Sequence, residues 1–381
     1  MSPPFKPTVA GSWLLRSLTF CLSIWLIGTA STALADRLIL RDLTLIQDVT
    51  VIGFDEEGVK VTDNNLIPWY EIELGTVSPD KQTDFDRLRD ELGIPLFRIH
   101  QRLKVGDYAG AREPAEQVFS RYKDRESNVA LMVCLATMWG RLAEGDRASA
   151  VEAYFCALRI LRSNRAEVSK LPGSRRPDFD KSTGLTGDLL PLFFDKQKAA
   201  TALPQATAAA KQLGSGTPDG VFVYLGSLAI AAEQFPEGEA WEKKIRSGNL
   251  VVKEWHDLLS AYALIQKGNL QEAHDLLEPN INALQRWNQP VAWYLLGVSG
   301  TRSKEFVAIE NGILDLLHLP AVYGHEHPEL SAAALAETDT ALQRIQQSDR
   351  VTGVRHQLLF FYGGTLHAEQ LRTKLNSSST P

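Results

Sequence analysis

The stretch PLFRIHQRLKVGDYAGAREPAEQVFSRYKDRESNVALMVCLATMWGRLAEGDRASAVEAYFCALRILRS, residues 95–163, decides the fold. It holds two polar turns of one type, Gly106-Asp107-Tyr108-Ala109-Gly110-Ala111 and Gly145-Asp146-Arg147-Ala148-Ser149-Ala150. Each lies between runs whose apolar residues recur at helical spacing. A third copy comes later, Gly268-Asn269-Leu270-Gln271-Glu272-Ala273. Each residue type has a task there. The glycine ends a helix in a left-handed conformation. The aspartate or asparagine caps the next helix. The alanine five places after the glycine lets two helices approach. The spacing predicts helix pairs over 96–103 with 108–122 and over 127–144 with 147–163. In the second copy Tyr154 and Ala157 continue the buried face, four and seven places beyond Ala150.

Upstream, residues 36–78 alternate short β-rich runs with turn residues. Strands are predicted over 37–46, 49–54, 59–62 and 67–77, with a tight connection at Gln47-Asp48 and turns at Asp55-Glu56-Glu57-Gly58 and Asp63-Asn64-Asn65. Gly58 supplies the positive φ that closes the hairpin. The segment is too short to fold well alone, so it packs on the helical part or on another molecule. Its strand rhythm resembles small SH3-like or Sm-like β modules of exported bacterial proteins. From Pro79 the period changes to that of a helix, interrupted at Gly93-Ile94-Pro95. Residues 164–188, rich in Pro, Gly and Ser, read as an exposed loop. Helices resume over 191–202, 204–213, 219–234, 237–246, 251–267, 270–287, 290–300, 306–319, 328–347 and 354–375. Residues 376–381 read as a disordered polar tail.

The paired helices resemble tetratricopeptide (TPR) repeats. The small residue, aromatic and small residue of the second helix fall on Ala150, Tyr154 and Ala157. The Trp-x2-Leu-Gly of the first helix is matched by Trp293-Tyr294-Leu295-Leu296-Gly297, and at Trp255-His256-Asp257-Leu258-Leu259 with Leu259 in place of Gly. The repeats are longer than the family's, 39 residues from Gly106 to Gly145 and 38 from Trp255 to Trp293, against about 34. The resemblance implies a mainly α chain: a superhelical, TPR-like solenoid over 79–375, preceded by a small antiparallel β module at 36–78.

The N-terminus reads as a cleaved secretory signal over 1–35. Lys6 and Arg16 form its basic region, 17–28 its apolar core, and Ala33-Leu34-Ala35 its small-x-small cleavage site. As a helix that core spans roughly 18 Å, short of the ~30 Å hydrocarbon of a bilayer. The protein is therefore expected to be periplasmic or extracellular, with no transmembrane span after cleavage. The net charge of −6 and the shortness of the basic pairs Arg175-Arg176 and Lys243-Lys244 argue against a nucleic-acid surface. Residues 36–78 carry nine acids and three bases, which fit an acidic docking face, a calcium site or solvated strand edges, though Asp55-Glu56-Glu57 lacks the alternate-residue spacing of a calcium loop. Beyond the signal stand two cysteines, Cys134 and Cys156, on neighbouring helices: either a disulfide of an oxidising compartment or two buried thiols.

No nucleophile elbow, HExxH, P-loop or CxxC is present. Asp178-Phe179-Asp180 starts like a calcium loop, but Gly184 is one place late and Leu189 replaces the closing glutamate. His318, His325 and His327 with Glu326 offer part of a metal site or a simple helix-start loop. Phe360-Phe361-Tyr362-Gly363-Gly364-Thr365-Leu366-His367 offers a ligand contact or a helix break against packed aromatics. Trp255, Trp287, Trp293 and Tyr294 line a groove or fill a core. No catalytic, cofactor or metal residue is assigned. The expected function is a non-catalytic protein–protein interaction or scaffold role for protein partners. The alternative is a metal-dependent or envelope-associated accessory enzyme with its site near 318–327. If the helix register is right, Ala150→Trp overpacks a helix pair and costs about 1–3 kcal/mol; an unchanged melting temperature refutes that register.

Overall fold

The computed structural model describes residues 36–62, 65–246 and 248–378. The expected signal at 1–35, part of the expected turn at Asp63-Asn64, and 379–381 lie outside them. The chain is mainly helical, with two small antiparallel sheets first. It divides into two compact units, one ending at Asp90 and one beginning at Glu91.

In the first unit, β1 (Asp36–Leu40) lies between β2 (Leu45–Val49) and β6 (Ile72–Thr76). A second sheet runs β3 (Val51–Asp55), β4 (Gly58–Val61), β5 (Asn65–Ile67). Two expected strands are each broken in two. Over 37–46 the break is a turn in which Leu43 takes φ 69° and the Asp42 carboxylate accepts the Thr44 N–H at 2.9 Å. Over 67–77 it follows Pro68, which has no N–H for a ladder. There the chain makes a 3₁₀ turn, Trp69–Glu71, before β6. The hairpin at 55–58 forms as expected, with Asp55 paired to Gly58 and the Asp55 carboxylate accepting the Glu57 N–H at 2.8 Å. α1 (Pro79–Leu88) belongs to this unit. Its Phe85 is buried with its ring centroid 5.3 Å from Trp69 and 5.8 Å from Phe54. Gly75 makes the room: a Cβ there would stand 2.4 Å from the Phe85 ring.

The second unit is all helix and loop. Its helices are α2 (Ile94–Lys104), α3 (Tyr108–Tyr122), α4 (Asn128–Ala143), α5 (Arg147–Ser163), α6 (Lys196–Lys211), α7 (Asp219–Ala231) and α8 (Phe235–Glu242). A single turn, Leu250–Lys253, leads to α9 (Trp255–Lys267) and α10 (Leu270–Leu277). Then come α11 (Gln289–Thr301), α12 (Phe306–Val322), α13 (Pro328–Arg344), α14 (Ser348–Phe361) and α15 (Leu366–Ser378). Neighbours in sequence pack together, and α7, α9, α11, α13 and α15 also touch in series. The expected break at Gly363-Gly364 separates α14 from α15. Pro204 breaks nothing and lies inside α6. α15 runs on to Ser378, past the expected end at 375.

The recurring turn is more frequent than its sequence. Gly106, Gly145 and Gly268 take φ of 75°, 70° and 84°, but so do Glu233 and Gln346, at 59° and 61°. In all five the next residue's N–H reaches back five positions to a carbonyl: Asp107 to Arg102, Asp146 to Arg141, Gln234 to Ala229, Asn269 to Leu264, Gln347 to Leu342. This is the helix-ending bond of a Schellman turn. Five places on, the residue is buried each time: Ala111, Ala150, Gly238, Ala273, Val351. Capping is less uniform than expected. Asp107 accepts the Gly110 N–H at 2.9 Å, whereas Asp146 and Asn269 make no capping bond. Asp146 instead faces the Arg112 guanidinium at 3.5 Å.

Charge is also buried in this unit. Arg141 in α4 meets both carboxylate oxygens of Glu116 in α3 at 2.7 and 2.9 Å, and donates to the Ser149 carbonyl in α5 at 2.7 Å. Cys134 and Cys156 are free, buried thiols. The hydrogen bond with Cys156, and burial, hold the Cys134 thiol well above its ordinary range. The shared turn fixes two opposite outcomes. Gln346→Gly removes a strained left-handed side chain and raises stability by about 1 kcal/mol, whereas Gly268→Ala, whose Cβ meets open space, lowers it by about the same. Urea midpoints read both; a loss in Gln346→Gly contradicts the equivalence of the turns.

Candidate functional site

The segment between α5 and α6 builds the site. Its second half is not the exposed loop that its composition suggests: Thr183, Leu185, Thr186, Leu189, Leu190, Leu192 and Phe193 are buried. A buried loop must find partners for its backbone polar groups. Here helix side chains supply many of them. The hydroxyl of Tyr154 in α5 donates to the Gly184 carbonyl at 2.9 Å. Tyr224 in α7 donates to Leu189 at 2.6 Å, and Tyr262 in α9 to Phe193 at 2.6 Å. Burial pushes all three phenols above their ordinary value, so they stay donors. Gly220 at the start of α7 lets the segment approach, its N–H bonding the Thr183 carbonyl at 2.8 Å. The segment ends where the Asp195 carboxylate caps α6, accepting from Gln197 and Lys198. That is why the helix expected from 191 starts at Lys196.

Two cavities, each of about 310 Å³, flank the segment, and Phe194 lines both. The first lies among α3, α4, the start of α5 and the start of α13. Its most ordered feature is Arg175. The guanidinium lies over the rings of Tyr108 and Trp139, 4.6 and 4.7 Å from their centroids. Asp188 fixes it, accepting from Arg175 at 2.8 Å and from the Trp139 indole N–H at 2.9 Å. Arg147 donates to the Leu190 carbonyl at 2.7 Å. His327 and Glu329 face the same space. Burial holds His327 below its ordinary value and Glu329 above its own. The second cavity is lined by Tyr262, Tyr294, Arg302, Glu337 and His367. Phe194 packs edge-on against Tyr294 at 5.4 Å and His367 at 5.2 Å.

Of His318, His325 and His327, the last lines the first cavity. His318 lies on Trp293 at 4.6 Å, and Tyr323 is ring neighbour to both His318 and His327. His325 is exposed, and Glu326 pairs with Arg286 at 3.0 Å. Among the described residues no group of three or more His, Cys, Asp or Glu could hold a metal ion. Asp180 spends its carboxylate on its own turn, accepting from the Ser182 N–H and hydroxyl. Trp255 is core, while Trp287 and Trp293 are half-buried. Phe360 and Phe361 are not a packed layer but stand 70% and 68% exposed.

Sequence reasoning missed Arg147, Asp188 and the buried segment. Tyr154 was legible as a buried aromatic, but its carbonyl partner lies 30 residues away. No protein-family model, no curated protein and no solved structure matches the chain. Removing one tyrosine hydroxyl tests the geometry. Tyr224→Phe leaves the Leu189 carbonyl and the Thr186 N–H without this partner and should cost about 1–3 kcal/mol in chemical denaturation. A change below about 0.5 kcal/mol would mean that the hydroxyl is not needed there.

Proposed function

We propose that this is an exported, TPR-like helical-repeat protein that works by binding protein partners, not by catalysis. The observation that carries the proposal is the tyrosine row. Helices α5, α7 and α9 each present a phenol to a carbonyl of one buried, non-helical segment. A face that bonds free backbone carbonyls within its own chain has the chemistry to bond those of a peptide from another. One interval between these turns, the 35 residues from Glu233 to Gly268, lies near the repeat length of about 34 in the family. In such an array α7, α9, α11 and α13 form the inner row of a solenoid. Beyond Phe194 that row is open, at the cavity of Tyr294, Arg302 and His367, and an extended peptide segment of a partner would sit there. Export rests on the signal pattern at 1–35, and no described helix is long and apolar enough to cross a membrane. The accessory-enzyme alternative near 318–327 draws no support from its histidines, which are spread over an aromatic stack, a surface and a cavity wall.

Site-specific photo-crosslinking in the native cells tests this. A benzoylphenylalanine at Thr340 or Gln370, both on the open cavity, should trap one discrete protein partner. The same group at Gln271 or Lys211 on other surfaces should not. Equal capture from all positions, or none from the cavity positions, sinks the proposal. Fractionation of the same cells should find the chain outside the cytoplasm with Asp36 as its first residue.

A further inference from the structure

We propose that the cavity at Arg147 is a binding site for a small organic monoanion, a carboxylate carried on an apolar or aromatic body. This goes beyond the peptide-binding face, because the cavity lies on the other side of Phe194 and is walled by α3, α4 and α5, with α13 as the helix that the two cavities share. Arg147 is the reason. It is the first residue of α5, and its guanidinium turns inward to donate to the Leu190 carbonyl. Its Nε is shut off from solvent and has no hydrogen-bond partner. No carboxylate of the described residues lies within ion-pair distance of it. Arg147 is half-buried as a residue, but a guanidinium N–H shut away from water with no acceptor is costly, and a carboxylate delivered with a ligand removes the cost.

The surrounding charges select the ligand's charge. Arg175 is neutralised by Asp188 at 2.8 Å, and Glu326 by Arg286 at 3.0 Å. Glu329 is the acid that acts on Arg147, but beyond ion-pair range, and it accepts the Leu366 N–H. That leaves one guanidinium to meet an incoming anion, with a carboxyl close enough to oppose a second negative charge. A monoanion fits and a phosphate dianion does not. Arginine offers a carboxylate two parallel N–H donors. The neutral imidazole of His327 adds one more polar group at the wall.

The remaining walls select the ligand's body. Trp139, Leu142, Leu190, Leu192, Phe194 and Leu330 line the space. Its volume of about 310 Å³ is at the lower end of small-molecule sites. A short acyl chain or a single aromatic ring fits, with its carboxylate at Arg147.

Calorimetric titration of the full chain with four acids, hexanoate, benzoate, 3-phenylpropanoate and indole-3-acetate, tests the site, each acid run against its primary amide and the series against inorganic phosphate. At least one acid should bind saturably and about tenfold or more tighter than its amide, the order of one charge-assisted contact. Phosphate should not compete. Arg147→Gln should bring acid and amide to equal affinity, and Arg147→Lys should keep part of the preference. Leu142→Trp, which fills the cavity and leaves Arg147 in place, should abolish binding of both with an unchanged melting temperature. That variant decides the matter if Arg147→Gln does not fold. The proposal is overturned if no acid binds, if acid and amide bind alike, if phosphate binds better, or if a folded Leu142→Trp binds as before.

Discussion

One backbone arrangement governs the second unit: a residue in the left-handed region followed by an N–H that reaches back five positions. It occurs at Gly106, Gly145, Glu233, Gly268 and Gln346. The bond satisfies a carbonyl at the end of one helix and reverses the chain within two residues. The reversal brings the two helices together at once, so the residue five places on must be small or tightly packed. Ala111, Ala150, Gly238 and Ala273 meet that demand by size, and Val351 by burial against its neighbours. Helix spacing in the unit follows from that short connection.

The second constraint is electrostatic and concerns what a helix face can bury. A segment of loop in the interior brings carbonyls that must be bonded. The tyrosines of α5, α7 and α9 meet this with a long apolar ring and a single donor at its tip, packing and bonding from one side chain. On the other edge of the segment Arg147 does the same for the Leu190 carbonyl, while Trp139 and Arg175 hold the carboxylate of Asp188. The two cavities lie where this lining stops being complete.

What the sequence shows, and what it hides, divides along physical lines. Helices 108–122 and 147–163 could be read to the residue, because glycine marks the left-handed turn before each. The equivalent turns at Glu233 and Gln346 could not, since nothing in those side chains announces a positive φ. The β module was legible as strands and turns, but not the allegiance of Phe85, which depends on the space left by Gly75. Composition misplaced residues 183–188, because Gly and Thr suit an exposed turn and a buried bonded segment equally. Arg147 looked like an ordinary first-turn residue. Its setting is made by Leu190 and the start of α13, both distant in sequence.

The tyrosine row also bears on how the chain comes to be assembled. In a plain repeat array each hairpin meets only its neighbours, and order can spread from one end. Here the Leu189 carbonyl must wait 35 residues for Tyr224, and the Phe193 carbonyl 69 residues for Tyr262. A ribosome delivers the acceptors long before the donors. Until α9 has emerged, water must hold those carbonyls, and the centre of the unit stays open. The three phenols thus join helices that would otherwise settle one pair at a time, and the centre of the unit cannot close before α9 is in place.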